Sequence, residues 1–159
     1  MAERHSMINT GTICQNRKAR FSYTIIETLE AGIVLEGSEV KSLRMGMANI
    51  GEAYATQKDG ELYLNNVLIT CSGISGHFKH IEGRPRKLLL HKKEVAKLSG
   101  LMARKGYTIV PLEMFFNARG IAKVKLGLAV GKNAADKRET EKQRQWNKEK
   151  QRILNYKNR

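Results

Sequence analysis

The chain has 159 residues, with 29 Lys and Arg against 15 Asp and Glu, a formal charge of +14 and a pI near 10.0. That length holds one domain plus an appendage, and so large an excess of fixed positive charge opposes compaction unless a polyanion offsets it, which makes nucleic acid the leading partner. No apolar run approaches the roughly 20 residues needed to cross a bilayer and Met1–Ser6 opens no apolar signal segment, so a membrane is the weaker candidate and a cytoplasmic protein is expected.

From Gly131 onward there are ten Lys and Arg against four Asp and Glu, so +6 sits in that segment and +8 on residues 1–130. Body and tail are both basic, which argues for two anionic contact surfaces or one large partner. Cys14 and Cys71 lie far apart without C-x-x-C spacing, so neither a zinc ribbon nor a redox pair is encoded.

Residues 1–15 show no sustained periodicity and read as an arm. After the basic cluster "NRKAR" (Asn16 to Arg20), Phe21, Tyr23 and Ile25 alternate with Ser22 and Thr24 at the period of a half-buried strand, and Ile33-Val34-Leu35 is a second strand or its continuation. "GSEVKSLRMG" changes to helical period: Ser38 can cap, Glu39 suits the positive first turn, Val40 and Leu43 share a face, and Gly46 stops the helix. Lys41 and Arg44 then project from one side. Lys58-Asp59-Gly60-Glu61 is a turn signal, so residues 52–70 form a hairpin and further strand. "CSGISGHFKHIEGRPR" carries four Gly or Pro in sixteen residues and reads as a long exposed loop.

His91 to Lys105 is helical, with Val95, Leu98 and Met102 on one face and Gly106 as terminator. "YTIVPLEMFF" is a strand whose Pro111 lacks a ladder donor and so favours an edge or a bulge. After the turn Asn117–Gly120, Ala122, Val124, Leu126, Leu128 and Val130 alternate with Lys123, Lys125 and Gly127, putting core on one face and lysines on the other. Many short strands with two intercalated helices suit a mainly β protein with flanking helices, a small closed antiparallel barrel of the oligonucleotide-binding type spanning residues 16–130. Residues 131–159 follow as a basic tail.

Catalytic constellations are not convincing. His77-x-x-His80 offers two ligands in a loop without a Cys or acidic pair nearby, a poor metal site whose plain alternative is a polar, RNA-facing loop. "GISGH" misses the last glycine of a nucleophile elbow, and nothing around Cys71 and His77 would depress a thiol pKa. The expectation is no enzyme, no metal and no cofactor. Basic clusters are the stronger signal: "NRKAR" and "RPRK" (Arg84 to Lys87) each precede a strand, and several such groups release counterions from a phosphate backbone together.

"NRKARFSYTIIETLEAGIVLEGSEVKSLRMGMANI", "RPRKLLLHKKEVAKL", "KGYTIVPLEMFFNARGIAKVKLGLAVGK" and "DKRE" resemble, in order over residues 13–159, the SmpB family, the SsrA-binding proteins of bacterial trans-translation. The resemblance implies an oligonucleotide-binding-type barrel that binds the tRNA-like part of tmRNA and carries it to ribosomes stalled without a usable codon. Asn16, Lys18 and Arg20, Glu30, and Leu89 with His91 would belong to the tmRNA surface, and Arg17, Lys41, Arg44, Arg86, Lys123 and Lys125 extend it as cations of the same body. Glu30 cannot attract phosphate, so it would accept from a base edge or 2′-hydroxyl, or hold a neighbouring arginine; an internal salt bridge is the alternative.

By the same resemblance the tail is disordered when free and helical in the decoding centre and empty messenger channel of the small ribosomal subunit, with elongation factor Tu meeting the complex through aminoacyl-tmRNA. Lys132, Asp136, Lys137 and Arg138 would begin that contact, and Trp146, Ile153 and Leu154 are its apolar points. Such sparse apolar content does not offset ordering costs of about 1–2 kcal/mol per residue. Three departures from the family pattern stand out: Asn133 where a second lysine is common, Ala135 where a ring is frequent, and Phe21 where histidine is frequent. Rival readings are a generic ribosomal or RNA-chaperone barrel with a basic extension, and an RNA-modifying enzyme.

Overall fold

A computed structural model describes residues 8–71, 80–131 and 134–158. Along the chain run β1 (Gly11–Gln15), α1 (Ala19–Ser22), β2 (Tyr23–Ile33), α2 (Gly37–Arg44), β3 (Ala48–Asn49), β4 (Tyr54–Lys58), β5 (Glu61–Asn65), β6 (Leu68–Ile69), β7 (Arg86–Leu89), α3 (Lys92–Lys105), β8 (Thr108–Phe116), β9 (Ala122–Gly131) and α4 (Ala134–Lys157).

Seven strands form one sheet in the order β1-β8-β9-β2-β7-β5-β4, and β3 and β6 pair separately. Every pairing is antiparallel. The expected closed barrel is not completed by hydrogen bonds: among the described residues the order is open, with β1 and β4 at its ends, while β4 packs against β8. The protein is a mainly β antiparallel sheet with a C-terminal helix.

The core follows the alternation of β9. Val124, Leu126 and Leu128 are buried with Ile109 and Met114 of β8, Leu62 and Leu64 of β5, and Leu43 of α2. Each such side chain stabilises the fold by roughly 1.5–3 kcal/mol relative to exposure. The opposite face of β9 is more covered than its lysines imply. Beyond Lys125 that face meets Ala19 of α1, Val110 and Leu112, so Gly127 and Ala129 are buried in a second, smaller cluster.

Several expectations are corrected. Gly11–Gln15, assigned to an arm, is β1, paired with β8 from Gly11↔Phe116 to Gln15↔Glu113; one buried apolar residue, Ile13, is too little to make a period. Phe21 and Ser22 are not strand but the end of α1, because the Lys18 carbonyl accepts from both of their amides at 3.1 and 2.9 Å. The strand that follows is one continuous element to Ile33, with a register shift between Ile25 and Glu27 that leaves Ile26 exposed. In α2 the N-cap is Glu36 rather than Ser38: the Glu36 N–H donates to Glu39 Oε1 at 2.8 Å. Pro111 sits in an interior strand, and its missing donor coincides with the β8–β9 shift between Pro111 and Glu113, the bulge alternative. Asp59 and Gly60 both have positive φ (51° and 75°), the two-residue turn that an Asp-Gly pair favours between β4 and β5.

The tail is a single helix of 24 residues, about 36 Å long at 1.5 Å per residue. It touches the body at α1. Trp146 is 66% exposed, and Ile153, Leu154 and Tyr156 are exposed as well, so the helix buries few of its apolar points.

Candidate nucleic-acid interface

The register of the sheet decides which expected residues share a face. Glu30 stands opposite Lys125, Gly32 opposite Lys123 and also opposite Leu89, while Glu113 and Phe115 of β8 stand opposite Lys125 and Lys123. Alternate residues on these strands, Val124, Met114, Ala31 and Leu88, are buried, so all of the first set face outward. Two concavities divide this face and share Glu113 and Lys125. One, of about 320 Å³, also holds Arg17, Arg20 and Leu112. The other, of about 410 Å³, also holds Thr28, Leu29, Glu30 and Phe115.

Charge on this face is arranged rather than uniform. The Thr12 hydroxyl donates to Glu113 Oε1 at 2.6 Å and so occupies part of that carboxylate. Lys97 of α3 pairs with Glu27 at 2.9 Å, and Lys87 with Glu61 at 3.7 Å, both exposed pairs of the kind worth about 0–1 kcal/mol. Glu30 has no such ion pair, which removes the internal salt bridge among the described residues and leaves its carboxylate exposed beside Lys125. Leu89 is 52% exposed, held against Gly32, where an added Cβ would come within 3.0 Å of Leu89 Cβ. His91 is exposed as the N-cap of α3, its N–H donating to Glu94 Oε2 at 3.2 Å. Thus Arg17, Arg20, Glu30, Leu89, Lys123 and Lys125 come together on one outer face, and Phe115, which sequence reasoning missed, lies among them. Its signal was available: in "EMFF" Met114 and Phe116 alternate into the core and so turn Phe115 outward.

Two of the expected contacts are buried and hydrogen-bonded within the protein. Asn16 is buried; its amide donates to the carbonyls of Pro111 (3.0 Å) and Ile50 (3.2 Å), and its Oδ1 accepts from the Ala19 N–H (3.2 Å). It ties the start of α1 to the sheet. Arg86 has no exposed surface at all. Its guanidinium pairs with the equally buried Glu39 and donates to the carbonyls of Val67 (2.7 Å), Glu82 (3.0 Å) and Arg84 (3.1 Å). Burial pushes the Glu39 carboxyl up, but donation from the Glu36 N–H, Arg84 and Arg86 outweighs it and holds the group below its ordinary value. Burial lowers Arg86 from a starting value so high that it stays charged.

His80 is also internal, not part of a polar exposed loop. Its Nε2 donates to the Ile69 carbonyl at 2.7 Å and its Nδ1 lies 2.9 Å from the Ser38 hydroxyl, so neither nitrogen is left for a metal. Among the described residues no group of three His, Cys, Asp or Glu could hold a metal ion, and no helix is long and apolar enough to cross a membrane. His77, Lys132 and Asn133 lie outside the described residues, as do the side chains of Ala135, Asp136 and Lys137. Lys41 and Arg44 are exposed on α2 but line neither concavity. Lys18 is exposed and pairs with Glu52 at 3.4 Å. In the tail, Arg138, Trp146, Ile153 and Leu154 are exposed.

An antiparallel sheet whose outer face interleaves cations with an aromatic ring, followed by a basic helix, is the arrangement of a nucleic-acid-binding protein. The model of the family described as SmpB protein matches residues 13–156. An SsrA-binding protein of Gluconacetobacter diazotrophicus is 55% identical over 154 residues, 96% of this chain and 99% of that one. Another, of Rhodopseudomonas palustris, is 54% identical over 142 residues, 89% of this chain and 90% of the other. A solved structure described as "tmRNA-SmpB: a journey to the center of the bacterial ribosome" superposes with a TM-score of 0.65 at 48% identity, covering 79% of this chain and 86% of its own. The chain belongs to the SmpB family.

Proposed function

We propose that this protein binds the tRNA-like part of tmRNA and delivers it to stalled bacterial ribosomes for trans-translation, acting in the cytoplasm as a binding protein and not as an enzyme. The observation that carries this reading is the outer sheet face, where Arg17, Arg20 and Lys125 border a concavity continuous with Glu30 and Phe115, in a chain of this family. Cations there meet phosphates, Phe115 offers a stacking surface, and Glu30 accepts from a base edge or a 2′-hydroxyl. Lys123 and Leu89 extend the same surface, with His91 just beyond it. The packing of β4 on β8 supports reading residues 16–130 as a curled, barrel-type unit of the oligonucleotide-binding kind.

The tail is the second contact. The helix of the tail buries few of its apolar points, so in this reading it is lost to disorder for much of the time in the free protein and is fixed only in the decoding centre and empty messenger channel, where rRNA phosphates meet the cations and Trp146 and Ile153, seven residues apart on one helical side, find apolar or stacking partners. Intact message would exclude the tail, which gives selectivity for stalled ribosomes. Elongation factor Tu joins through aminoacyl-tmRNA.

Affinity for the tRNA-like portion of tmRNA, compared with an unrelated structured RNA over a range of salt, tests the reading. Preference for the former is expected, with a steep fall of log affinity against log salt, and Arg17→Ala and Lys125→Ala should each reduce the slope by about one. Equal affinity for both RNAs, as a generic RNA chaperone would have, overturns it.

A further inference from the structure

A third concavity lies on the other side of α1. It has a volume of about 390 Å³ and is bounded by α1, the connection into β4, Asn66 after β5 and the start of β8. Tyr23 and Tyr54 line it, with Ser22, Asn66 and Thr108 as polar neighbours and, on its rim, Lys18 in an exposed pair with Glu52 at 3.4 Å that a phosphate would replace. Asn16 lines both this cavity and the concavity of Arg17 and Arg20, so the few residues of "NRKAR" form a wall between two depressions. Arg17 and Arg20 serve one side and Lys18 the other.

Lys18 and Asn16 are committed, to Glu52 and to backbone groups, but the other polar side chains of the lining are not. Among the described residues the hydroxyls of Tyr23, Tyr54, Ser22 and Thr108 and the side-chain amide of Asn66 have no hydrogen-bond partner. Tyr54 is 40% exposed, so its ring is accessible from outside. Asn66 is held at φ 60°, a left-handed turn that asparagine tolerates and that carries the chain from β5 toward β6 beside the cavity. A preformed hollow of this size with aromatic walls, a side chain offering both donor and acceptor, and a cation at the mouth matches a planar heterocycle attached to a phosphate.

We propose that this cavity is a nucleobase site, taking one unstacked base of the bound RNA against Tyr54 and Tyr23, with Asn66 reading its edge and Lys18 meeting its phosphate. The inference rests on the proposed RNA-binding function and deepens it: a strand crossing α1 would leave its backbone on Arg17 and Arg20 and insert a base behind that wall. Stacking is sequence-tolerant, so any discrimination would come from Asn66.

The test uses the full chain carrying 3-fluorotyrosine at its five tyrosines, with pentaadenylate, pentauridylate and an abasic pentamer as probes. The fluorine resonances of Tyr23 and Tyr54 should move with the base-bearing pentamers and stay with the abasic one. Tyr54→Leu should weaken pentaadenylate roughly tenfold while leaving abasic binding and the salt slope unchanged, and Asn66→Gly, which keeps the left-handed backbone without strain, should lower affinity and flatten any preference between the two bases. Lys18→Ala should reduce the salt slope by about one. Equal binding of abasic and base-bearing pentamers, or unmoved Tyr23 and Tyr54 signals, overturns the site while leaving tmRNA preference to stand on its own measurement. If the pentamers move these tyrosines but the tRNA-like RNA shows no preference, the site holds and the proposed function fails.

Discussion

Arg86 and Glu39 form an ion pair in which neither side chain is exposed, joining β7 to the first turn of α2. Arg84 adds a second guanidinium to the same carboxylate. Removing one member strands a buried charge, so Arg86→Leu should cost about 3–5 kcal/mol in urea denaturation. The double variant Glu39→Leu/Arg86→Leu should recover a large part of that loss, since well-packed apolar replacements of buried pairs are often nearly neutral. RNA binding of the folded fraction should be unchanged in both, whereas a loss of binding out of proportion to unfolding would return Arg86 to the RNA surface.

Glu39 also sets the acid limit of stability. Its carboxyl is held below the ordinary value in the folded chain, so its contribution is fully present above the unfolded carboxylate pKa and is lost as pH falls through the lower, folded one. Denaturation midpoints should therefore drop with acidification below about pH 4, and Glu39→Gln should be destabilised at neutral pH with a flatter acid limb. An unchanged acid limb in Glu39→Gln would show that other carboxylates control it.

Periodicity made the strand cores legible where alternation ran long enough, as in Ala122–Leu128, and the glycine stops of α2 and α3 were read from Gly46 and Gly106, both at positive φ. It failed where the deciding interaction is distant in sequence. Nothing local tells that Asn16 will spend its amide on Ile50 and Pro111, or that Arg86, in a cluster of cations, will be drawn into the core by Glu39, 47 residues earlier. Arg17 and Lys125 were found as cations, yet only register brings them beside Glu30 and Phe115.

Gly32 and Leu89 face each other across β2 and β7 at a distance that admits no additional carbon, since a Cβ on Gly32 would meet Leu89 Cβ at 3.0 Å. Gly32→Ala should therefore push Leu89 off its position. We expect affinity for tmRNA's tRNA-like portion to fall severalfold with stability lowered by roughly 1–3 kcal/mol, and Leu89→Ala to reproduce the binding loss without the stability loss, because Leu89 is already half exposed. Full affinity in both variants would remove Leu89 from the interface.

Burial pushes the Cys14 thiol from 9.0 to about 11. The thiolate is the reactive species, so near pH 8 alkylation of Cys14 by iodoacetamide should run about a hundredfold slower than that of an unperturbed thiol. A Cys71→Ser variant isolates the measurement. Rapid labelling under native conditions would mean that β1 opens from β8.

Trp146 is the one tryptophan of the chain and remains 66% exposed on α4, with Ile153 on the same side of the helix. A residue so exposed contributes little to folding of the sheet, so Trp146→Ala should leave the thermal midpoint within about one degree, given that surface substitutions usually stay within ±0.5 kcal/mol. Ribosome engagement should nevertheless fall, because the ring is the largest apolar group that the tail can offer to rRNA. Truncation after Val130 should go further, keeping binding of tmRNA's tRNA-like portion while abolishing tagging. A marked drop in thermal stability of Trp146→Ala would instead make the ring part of the body's packing, and normal tagging by the truncated chain would remove the tail from the mechanism.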